Sequence, residues 1–330
     1  MNVIHKNNGL VSIVILNWNG LAFIKQCIES VLLQEYSKYE IIVVDNGSTD
    51  ESINIVKENY PTITVIQNEK NLGFAQGMNI GIQASSGEYL LLLNEDAYLE
   101  RNFILTGVLE FETDPKIGWA GGVVREMTST KRCETVINTA FALRGRFQLK
   151  SIGTVHDRER SLIASPCAML LRREALIDSA FESHNWLDSN YFAYWEDTDL
   201  GLRMLLRGWK CIYNPDMCVW HFVSGSVSGK QSLVDKPKRF RRMALRNRHS
   251  TIIKDVPSAV LIPLIPKLLF IEVLIIIYYA VFSFSTLICN FQAIGDTILN
   301  SRKLFRQRAI IQSRTQISPL EFKKFIQGVL

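Results

Sequence analysis

One pattern repeats through residues 11–93: a short apolar run, a polar turn and then a segment with helical periodicity. Apolar runs of this length are typical of buried strands, and strands that alternate with helices indicate a parallel sheet with right-handed crossovers. We therefore expect an α/β fold, a Rossmann-like and mostly parallel sheet flanked by helices, with Ser48 or Thr49 capping the second helix. The expected strands are 11–16, 39–44, 62–67 and 89–93, and the expected helices are 21–34, 51–59 and 74–84.

The fourth apolar run leads directly into three polar residues, Asn94, Glu95 and Asp96. Open α/β sheets bind ligands at the carboxyl ends of their strands, so a functional site is expected here. The competing interpretation is an acidic turn on an ordinary surface. Asp45 stands at the corresponding place after the second run, where it could bond a base or a ribose or simply form an Asx turn.

Beyond the fourth strand the rhythm breaks. The stretch 125–156 is polar and irregular, which suits an acceptor-binding insertion or a flap. The other expected elements are strands at 118–124 and 162–171, helices at 172–179 and 200–206, and short apolar runs at 211–213 and 218–220.

Acids and one histidine mark two further places in this second half. Hard divalent cations take oxygen ligands, so Asp96 with one more side chain could hold Mg²⁺ or Mn²⁺ against a diphosphate. His221 could be that second ligand, or it could merely close its strand. Glu196 and Asp197 follow an aromatic run, where one of them could act as a general base; the alternative is that acids stabilise the first turn of a helix.

Several function classes are disfavoured. The chain has neither the glycine-rich dinucleotide fingerprint nor a phosphate-binding loop with its lysine, which argues against a dehydrogenase or an ATPase. The net charge is only +5, and no interleaving of aromatic and basic residues indicates nucleic-acid binding.

Taken together, these stretches resemble the family 2 glycosyltransferases of the GT-A fold, especially the bacterial rhamnosyltransferase-like branch. The resemblance lies in ordered motifs through the first two thirds of the chain. The matching stretches are 14–20 (VILNWNG), 43–50 (VVDNGSTD), 71–75 (NLGFA), 91–96 (LLLNED), 195–200 (WEDTDL) and His221.

The resemblance implies an inverting, metal-dependent transfer of a sugar from a nucleoside diphosphate donor, dTDP-rhamnose or a UDP-hexose, to a saccharide or lipid-linked acceptor. Asp197 would be the catalytic base, with Glu196 beside it, and Asp96 and His221 would hold the metal. The residues implied for the donor pocket are Asn17, Asn19, Asp45, Asn46, Asn71, Gly73, Asn94 and Glu95. A non-catalytic nucleotide-sugar-binding membrane scaffold is the alternative function.

Two places depart from the family pattern. Glu95 stands where a proline commonly lies in the metal motif, so it could add a ligand or only a surface charge. The turn 165–168 (SPCA) replaces a more usual Gly-Ala-containing turn in the acceptor region.

Composition changes beyond Gly229, which divides the chain into an expected glycosyltransferase domain at 1–229 and a basic, apolar helical region at 230–330. The apolar segment 256–289 is interrupted by Pro263, Pro266 and Glu272. We expect an interfacial or re-entrant helical arrangement at the cytoplasmic face of the inner membrane; a single span and a soluble dimerisation surface are the alternatives.

Overall fold

The computed structural model describes residues 9–127, 132–138, 140–144, 149–151, 158–222 and 233–327. Most strands join one mixed sheet, and a smaller sheet is formed by β8, β9, β11 and β14. The strands are β1 Val11–Asn17, β2 Tyr39–Asp45, β3 Thr64–Gln67, β4 Tyr89–Asn94, β5 Ala97–Leu99, β6 Ile117–Met127, β7 Arg132–Asn138, β8 Ala140–Arg144, β9 Leu149–Ser151, β10 Glu159–Ser161, β11 Ile163–Ala164, β12 Ala168–Arg172, β13 Lys210–His221 and β14 Ile326–Gln327. The helices are α1 Ile24–Leu32, α2 Ser52–Asn59, α3 Phe74–Ala84, α4 Phe103–Thr113, α5 Arg173–Ser179, α6 Glu196–Leu206, α7 Lys238–Asp255, α8 Ser258–Phe282, α9 Phe284–Leu299, α10 Ser301–Ser313 and α11 Pro319–Lys323.

The first four strands confirm the predicted parallel arrangement. They lie in the order β3-β2-β1-β4, and all three pairings are parallel. β12 then pairs antiparallel with both β4 and β6, and β13 pairs parallel with β6. Two antiparallel steps restore the original direction, so the carboxyl ends of β1, β2, β4 and β13 all lie at one edge of the sheet.

The structure corrects several predicted boundaries. The expected strand 162–171 is two strands, because Ser165 adopts a left-handed φ of 44° between β11 and β12. The two short runs after residue 210 form the single strand β13, with an irregularity between Tyr213 and Cys218. Of the stretch 125–156, which was expected to be irregular, residues 125–127 end β6 and other parts form β7, β8 and β9. The remainder of the stretch lies outside the described residues.

The predicted cap of the second helix is wrong. The residue preceding α2 is Glu51, which makes no side-chain cap bond, and the Ser48 hydroxyl instead accepts a hydrogen bond from the backbone N–H of Asn19. The carboxylate of Asp50 accepts from the backbone N–H of Ser52 at 3.1 Å and so satisfies the start of the helix. Ser48 is therefore available to join the first two strand-end turns.

Alternating side chains along the strands pack into two apolar cores, one on each face of the sheet. Val14 and Leu16 of β1 face one core with helices α3, α5 and α6, and Ile13 and Ile15 face the other with α1, α2 and α4. The first core also receives apolar side chains from the helices after residue 233, namely Ile252, Val256, Val260, Leu264, Ile311 and Phe322. The C-terminal helices therefore pack directly on the sheet domain.

Helix α8 runs without a break through both Pro263 and Pro266, which were expected to divide this segment. A proline removes one hydrogen-bond donor and tends to kink a helix, but the remaining ladder bonds can carry the helix past it. Among the described helices, α8 is long and apolar enough to cross a membrane, and its most apolar stretch is largely exposed on the molecule. Its 25 residues correspond to about 37 Å at 1.5 Å per residue.

Candidate active site

Asn17 and Asp45 end neighbouring strands and lie directly opposite each other in the parallel register. Both are buried, and the Asn17 amide nitrogen donates to a carboxylate oxygen of Asp45 at 3.2 Å. The same nitrogen donates to the hydroxyls of Ser48 and Ser52 at 3.1 and 2.9 Å. This buried polar group holds the Asp45 carboxylate in place at the edge where ligands of such sheets bind.

Asn19 joins the turns after β1 and β2 from the exposed side. It has a left-handed φ of 54°, a conformation that asparagine tolerates better than most residues. Its side-chain oxygen accepts from the backbone N–H of Thr49 at 2.8 Å. Trp18 lies beside it with half of its surface exposed, although the sequence alone gave no reason to single it out.

Asn46, Asn71 and Gly73 form one hydrogen-bonded loop. The Asn46 amide donates to the Asn71 side chain and to the Gly73 carbonyl, both at 3.1 Å, and its oxygen accepts from the backbone N–H of Leu72. Gly73 has φ 86° and ψ 172°, and a Cβ there would lie 2.6 Å from the carbonyl oxygen of Phe192. The loop thus requires glycine at this position and packs against the aromatic run that precedes α6.

Asp96 and His221, predicted as metal ligands, are brought together. β5 and β13 pair antiparallel, with His221 opposite Ala97, and His221 Nε2 lies 3.1 Å from Asp96 Oδ1. The His221 side chain is 24% exposed, and the Asp96 side chain is 18% exposed. Ligands this far apart suit adjacent positions on an octahedral cation, since two bonds of about 2.1 Å at a right angle separate their atoms by about 3 Å.

The donor set therefore fits a divalent cation that keeps other ligands from substrate or water. A carboxylate oxygen and an imidazole nitrogen together suit Mn²⁺, whereas Mg²⁺ prefers oxygen. Among the described residues no group of three or more His, Cys, Asp or Glu side chains is placed to hold a metal. Phosphate oxygens or waters would have to complete the coordination.

Glu95, which departs from the family pattern, packs against the turn after β1. Its Cγ lies 2.8 Å from the place of a Cβ on Gly20, and its carboxylate accepts from the backbone N–H of Trp18. Burial and the charge of Asp96 raise the pKa of Glu95 to about 8. At neutral pH Glu95 is mostly protonated, so it joins two turns without adding a second negative charge beside Asp96.

The amide oxygen of Asn94 is buried and has no hydrogen-bond partner among the described residues. Its backbone N–H donates to the Cys167 carbonyl at 3.0 Å, which places the unusual turn at 165–168 next to the end of β4. Buried polar atoms are normally paired, so this oxygen is a candidate ligand-binding atom.

Glu196 and Asp197 begin α6 directly after two left-handed residues, Tyr194 with φ 70° and Trp195 with φ 76°. Burial, the charge of Asp197 and that of Asp199 raise the pKa of Glu196 to about 8, and burial also raises the pKa of Asp197. One oxygen of Glu196 is buried without a hydrogen-bond partner among the described residues. Strained backbone, a raised carboxylate pKa and an unpartnered oxygen are features that cluster at functional sites.

Residues of α7, which sequence reasoning placed in a separate membrane region, hold this segment. The Asn247 amide donates to the carbonyls of Ala193 and Tyr194 at 2.9 and 2.8 Å. Lys254 is fully buried, and its ammonium group lies 2.5 Å from Asp188 and 2.6 Å from Asp199. No local motif in the sequence indicates these contacts, because they join residues more than 50 positions apart.

The predicted site residues thus form three groups, which are the Asn17–Asp45 turn, the Asp96–His221 pair and the start of α6. The first two lie at the same edge of the sheet, and Glu95 touches both. The loop at Gly73 packs on Phe192 and so connects the first group to the third. Within the described part of the chain, no hydrogen bond or ion pair joins Asp197 directly to the Asp96–His221 pair.

Two solved structures share the fold of this chain. The S. aureus TarS fragment 1–349 in complex with UDP-GlcNAc matches 92% of this chain and 90% of its own, with a TM-score of 0.56 and 14% identity. GalNAc-T7 with UDP, GalNAc and Mn²⁺ matches 74% of this chain and 47% of its own, with a TM-score of 0.59 and 19% identity. At these identities the likeness defines a GT-A fold.

The particular family follows from the sequence comparisons. Residues 12–179 match the family model described as glycosyl transferase family 2, so the chain belongs to that family. A dolichyl N-acetyl-alpha-D-glucosaminyl phosphate 3-beta-D-2,3-diacetamido-2,3-dideoxy-beta-D-glucuronosyltransferase of Methanococcus voltae is 23% identical over 239 residues, 66% of this chain and 68% of that protein. Against other curated relatives the match spans only 38–51% of their length.

Proposed function

We propose that this chain is an inverting, metal-dependent glycosyltransferase that uses a nucleoside diphosphate sugar. The observation that carries the proposal is the 3.1 Å contact of Asp96 with His221 at the sheet edge that also presents Asp45. Such a transfer needs three parts: a buried acid for the nucleoside, which is Asp45, a two-ligand cation site, which is Asp96 with His221, and an acid of raised pKa, which is Asp197 at the start of α6. Membership of family 2 supports the same reaction class.

The roles follow from the chemistry of each group. Asp45 and Asn17 bind the base and ribose, and Asp96 and His221 hold Mg²⁺ or Mn²⁺. A cation held by these two side chains would supply positive charge to neutralise the departing diphosphate. Asp197 removes the proton from the acceptor hydroxyl, whose oxygen bonds to the anomeric carbon as the bond from that carbon to the diphosphate breaks.

The raised pKa of Asp197 makes it a stronger base than an ordinary carboxylate. Burial and the neighbouring charge of Asp197 raise the pKa of Glu196 to about 8.

The donor and the acceptor are proposed from the relatives. The two solved structures contain UDP and UDP-GlcNAc, which supports a UDP-sugar ahead of dTDP-rhamnose. The archaeal relative is named for a dolichyl phosphate-linked sugar acceptor, which supports a lipid-linked saccharide here. The exposed apolar surface of α8 supports a place at the cytoplasmic face of the membrane, with α8 either across the bilayer or within its surface.

The test is the substitution Asp197→Asn. It should reduce transfer by about 100- to 10,000-fold, the range for loss of a general base, and leave donor binding unchanged. Released nucleoside diphosphate reports transfer, and calorimetry reports binding. Asp216→Asn, a matched change on an exposed part of β13, should retain full activity.

Full activity of Asp197→Asn would refute the assignment of the base. Metal-dependent nucleotide binding by the wild type without turnover of any donor would instead support the non-catalytic scaffold.

A further inference from the structure

A groove between α7 and α9 collects positive charge. It has a volume of about 420 Å³, and its α7 side is formed by Lys238, Arg239, Arg242 and Arg246. Asp296 is the acid in its lining, and it is paired with Arg242 at 2.6 Å. The groove therefore presents a surplus of three positive charges.

In the part of the chain that the structure describes, Lys238 and Arg239 have no carboxylate partner, and Arg246 has only the charge of Asp296, which is already paired with Arg242. Lys238 is exposed, and Arg239 is exposed with its guanidinium 4.6 Å from the Phe192 ring centre. Arg246 donates to the Asn190 carbonyl and to the Asn247 side chain, neither of which carries charge. Clustered cations without counter-ions repel one another, so an anionic ligand would stabilise the groove.

The surfaces next to the groove indicate what kind of anionic ligand it binds. α9 carries an exposed apolar stripe at helical spacing, consisting of Phe284, Ile288, Phe291 and Ile298. α8 packs against α9 and exposes most of its own apolar surface. A soluble anion would need only the charges, whereas a ligand with an anionic head and an apolar chain would use both surfaces.

We propose that this groove binds the phosphate headgroup of an anionic membrane lipid whose chain lies along the stripe of α9. Arginine and lysine are the side chains that recognise phosphate, and basic clusters beside membrane helices attract anionic headgroups. The groove also borders the segment that leads into Glu196, through Arg239 on Phe192 and Arg246 on Asn190. A bound headgroup would therefore fix the side of the molecule that faces the membrane, and the proposal does not depend on the donor site.

The experiment uses the full chain in an uncharged detergent. Calorimetry measures the binding of short-chain phosphatidylglycerol, short-chain phosphatidylcholine and inorganic pyrophosphate to the wild type, to Lys238→Glu and to the matched control Lys25→Glu on the exposed face of α1. Phosphatidylglycerol should bind most tightly. Lys238→Glu should weaken it by about fivefold or more, since one basic residue near an anionic surface contributes about that factor, whereas Lys25→Glu should not.

Two further measurements separate the apolar and anionic parts of the ligand. Phe291→Gln should weaken phosphatidylglycerol and leave pyrophosphate unchanged. Thermal melts and UDP binding should be the same for all variants, which distinguishes failure here from failure of the donor site. Equal effects of Lys238→Glu and Lys25→Glu, equal binding of the two lipids, or pyrophosphate binding as tight as that of phosphatidylglycerol would each overturn the proposal.

Discussion

Lys254→Met should strongly destabilise the protein. Lys254 is fully buried, and its ammonium group neutralises Asp188 and Asp199. Asp199 would keep Arg203 as an ion-pair partner at 2.7 Å. Asp188 would keep only the hydrogen bonds from Asn190 and the charge of Arg203 beyond ion-pair distance. Removing one partner of a buried pair and leaving the other charged typically costs about 3–5 kcal/mol, and we expect a loss of that size.

Urea unfolding at neutral pH measures this loss, with Lys238→Met as the matched control on the exposed face of the same helix. The control should stay within about 0.5 kcal/mol of the wild type. Adding Asp188→Asn to Lys254→Met should recover most of the stability, because the buried charge that lacks a partner is then gone. A loss below about 1 kcal/mol, or a double variant as unstable as the single one, would refute the reasoning.

The pH dependence gives an independent check. Burial alone would raise the pKa of Asp188, but the charge and the hydrogen bond of Lys254, together with the hydrogen bonds from Asn190, outweigh it and lower the pKa. The stability that Asp188 contributes is therefore present above its unfolded pKa, about 3.9, and is lost as pH falls through the folded value. Lys254→Met should remove this dependence, which urea midpoints across the acid range would show.

Three further outcomes are expected. Asp255→Asn should raise the unfolding free energy at neutral pH, because burial and the charge of Asp199 raise the pKa of Asp255 in the folded protein. The charged form of Asp255 then destabilises the fold as pH rises above the unfolded pKa, and urea unfolding at about pH 5 and 7 tests this. Gly73→Ala should lower stability by about 1–3 kcal/mol and weaken donor binding, because a Cβ there meets the Phe192 backbone, whereas Gly295→Ala, with open space around it, should do neither in the same melts and titrations. The acid limb of the pH profile of kcat/KM should lie above the ordinary carboxylate range, because burial raises the pKa of Asp197, and a limb within the ordinary range would contradict this.

Local patterns predicted the parallel half of the sheet because each buried strand there is a continuous apolar run that ends in a polar turn. The Asn17–Asp45 pair follows from the same pattern, since residues at the carboxyl ends of neighbouring parallel strands meet at one edge. Asp96 and His221 instead meet through the antiparallel pairing of β5 with β13, and β5 was not predicted. The split of β11 from β12 was missed because it depends on the left-handed Ser165, which no propensity favours.

The contacts of α7 with the start of α6 could not be predicted. They depend on a buried lysine that faces acids far away in sequence, and a basic run looks the same whether its lysines are solvated or buried. Composition placed Lys254 in the membrane-associated region, whereas its ammonium group pairs with Asp199 in the buried core next to the candidate base. Burial and the neighbouring charge of Asp199 raise the pKa of Asp255 in that cluster, against the opposing charges of Lys254 and Arg203.

The most direct test of the proposed function is calorimetry of UDP with and without Mn²⁺, on the wild type, Asp96→Asn and Asp45→Asn. Mn²⁺ should strengthen UDP binding to the wild type, Asp96→Asn should lose that metal dependence, and Asp45→Asn should weaken binding under both conditions. If Mn²⁺ strengthened UDP binding to Asp96→Asn as much as to the wild type, the cation would not be bound at Asp96 and the proposed site would be wrong.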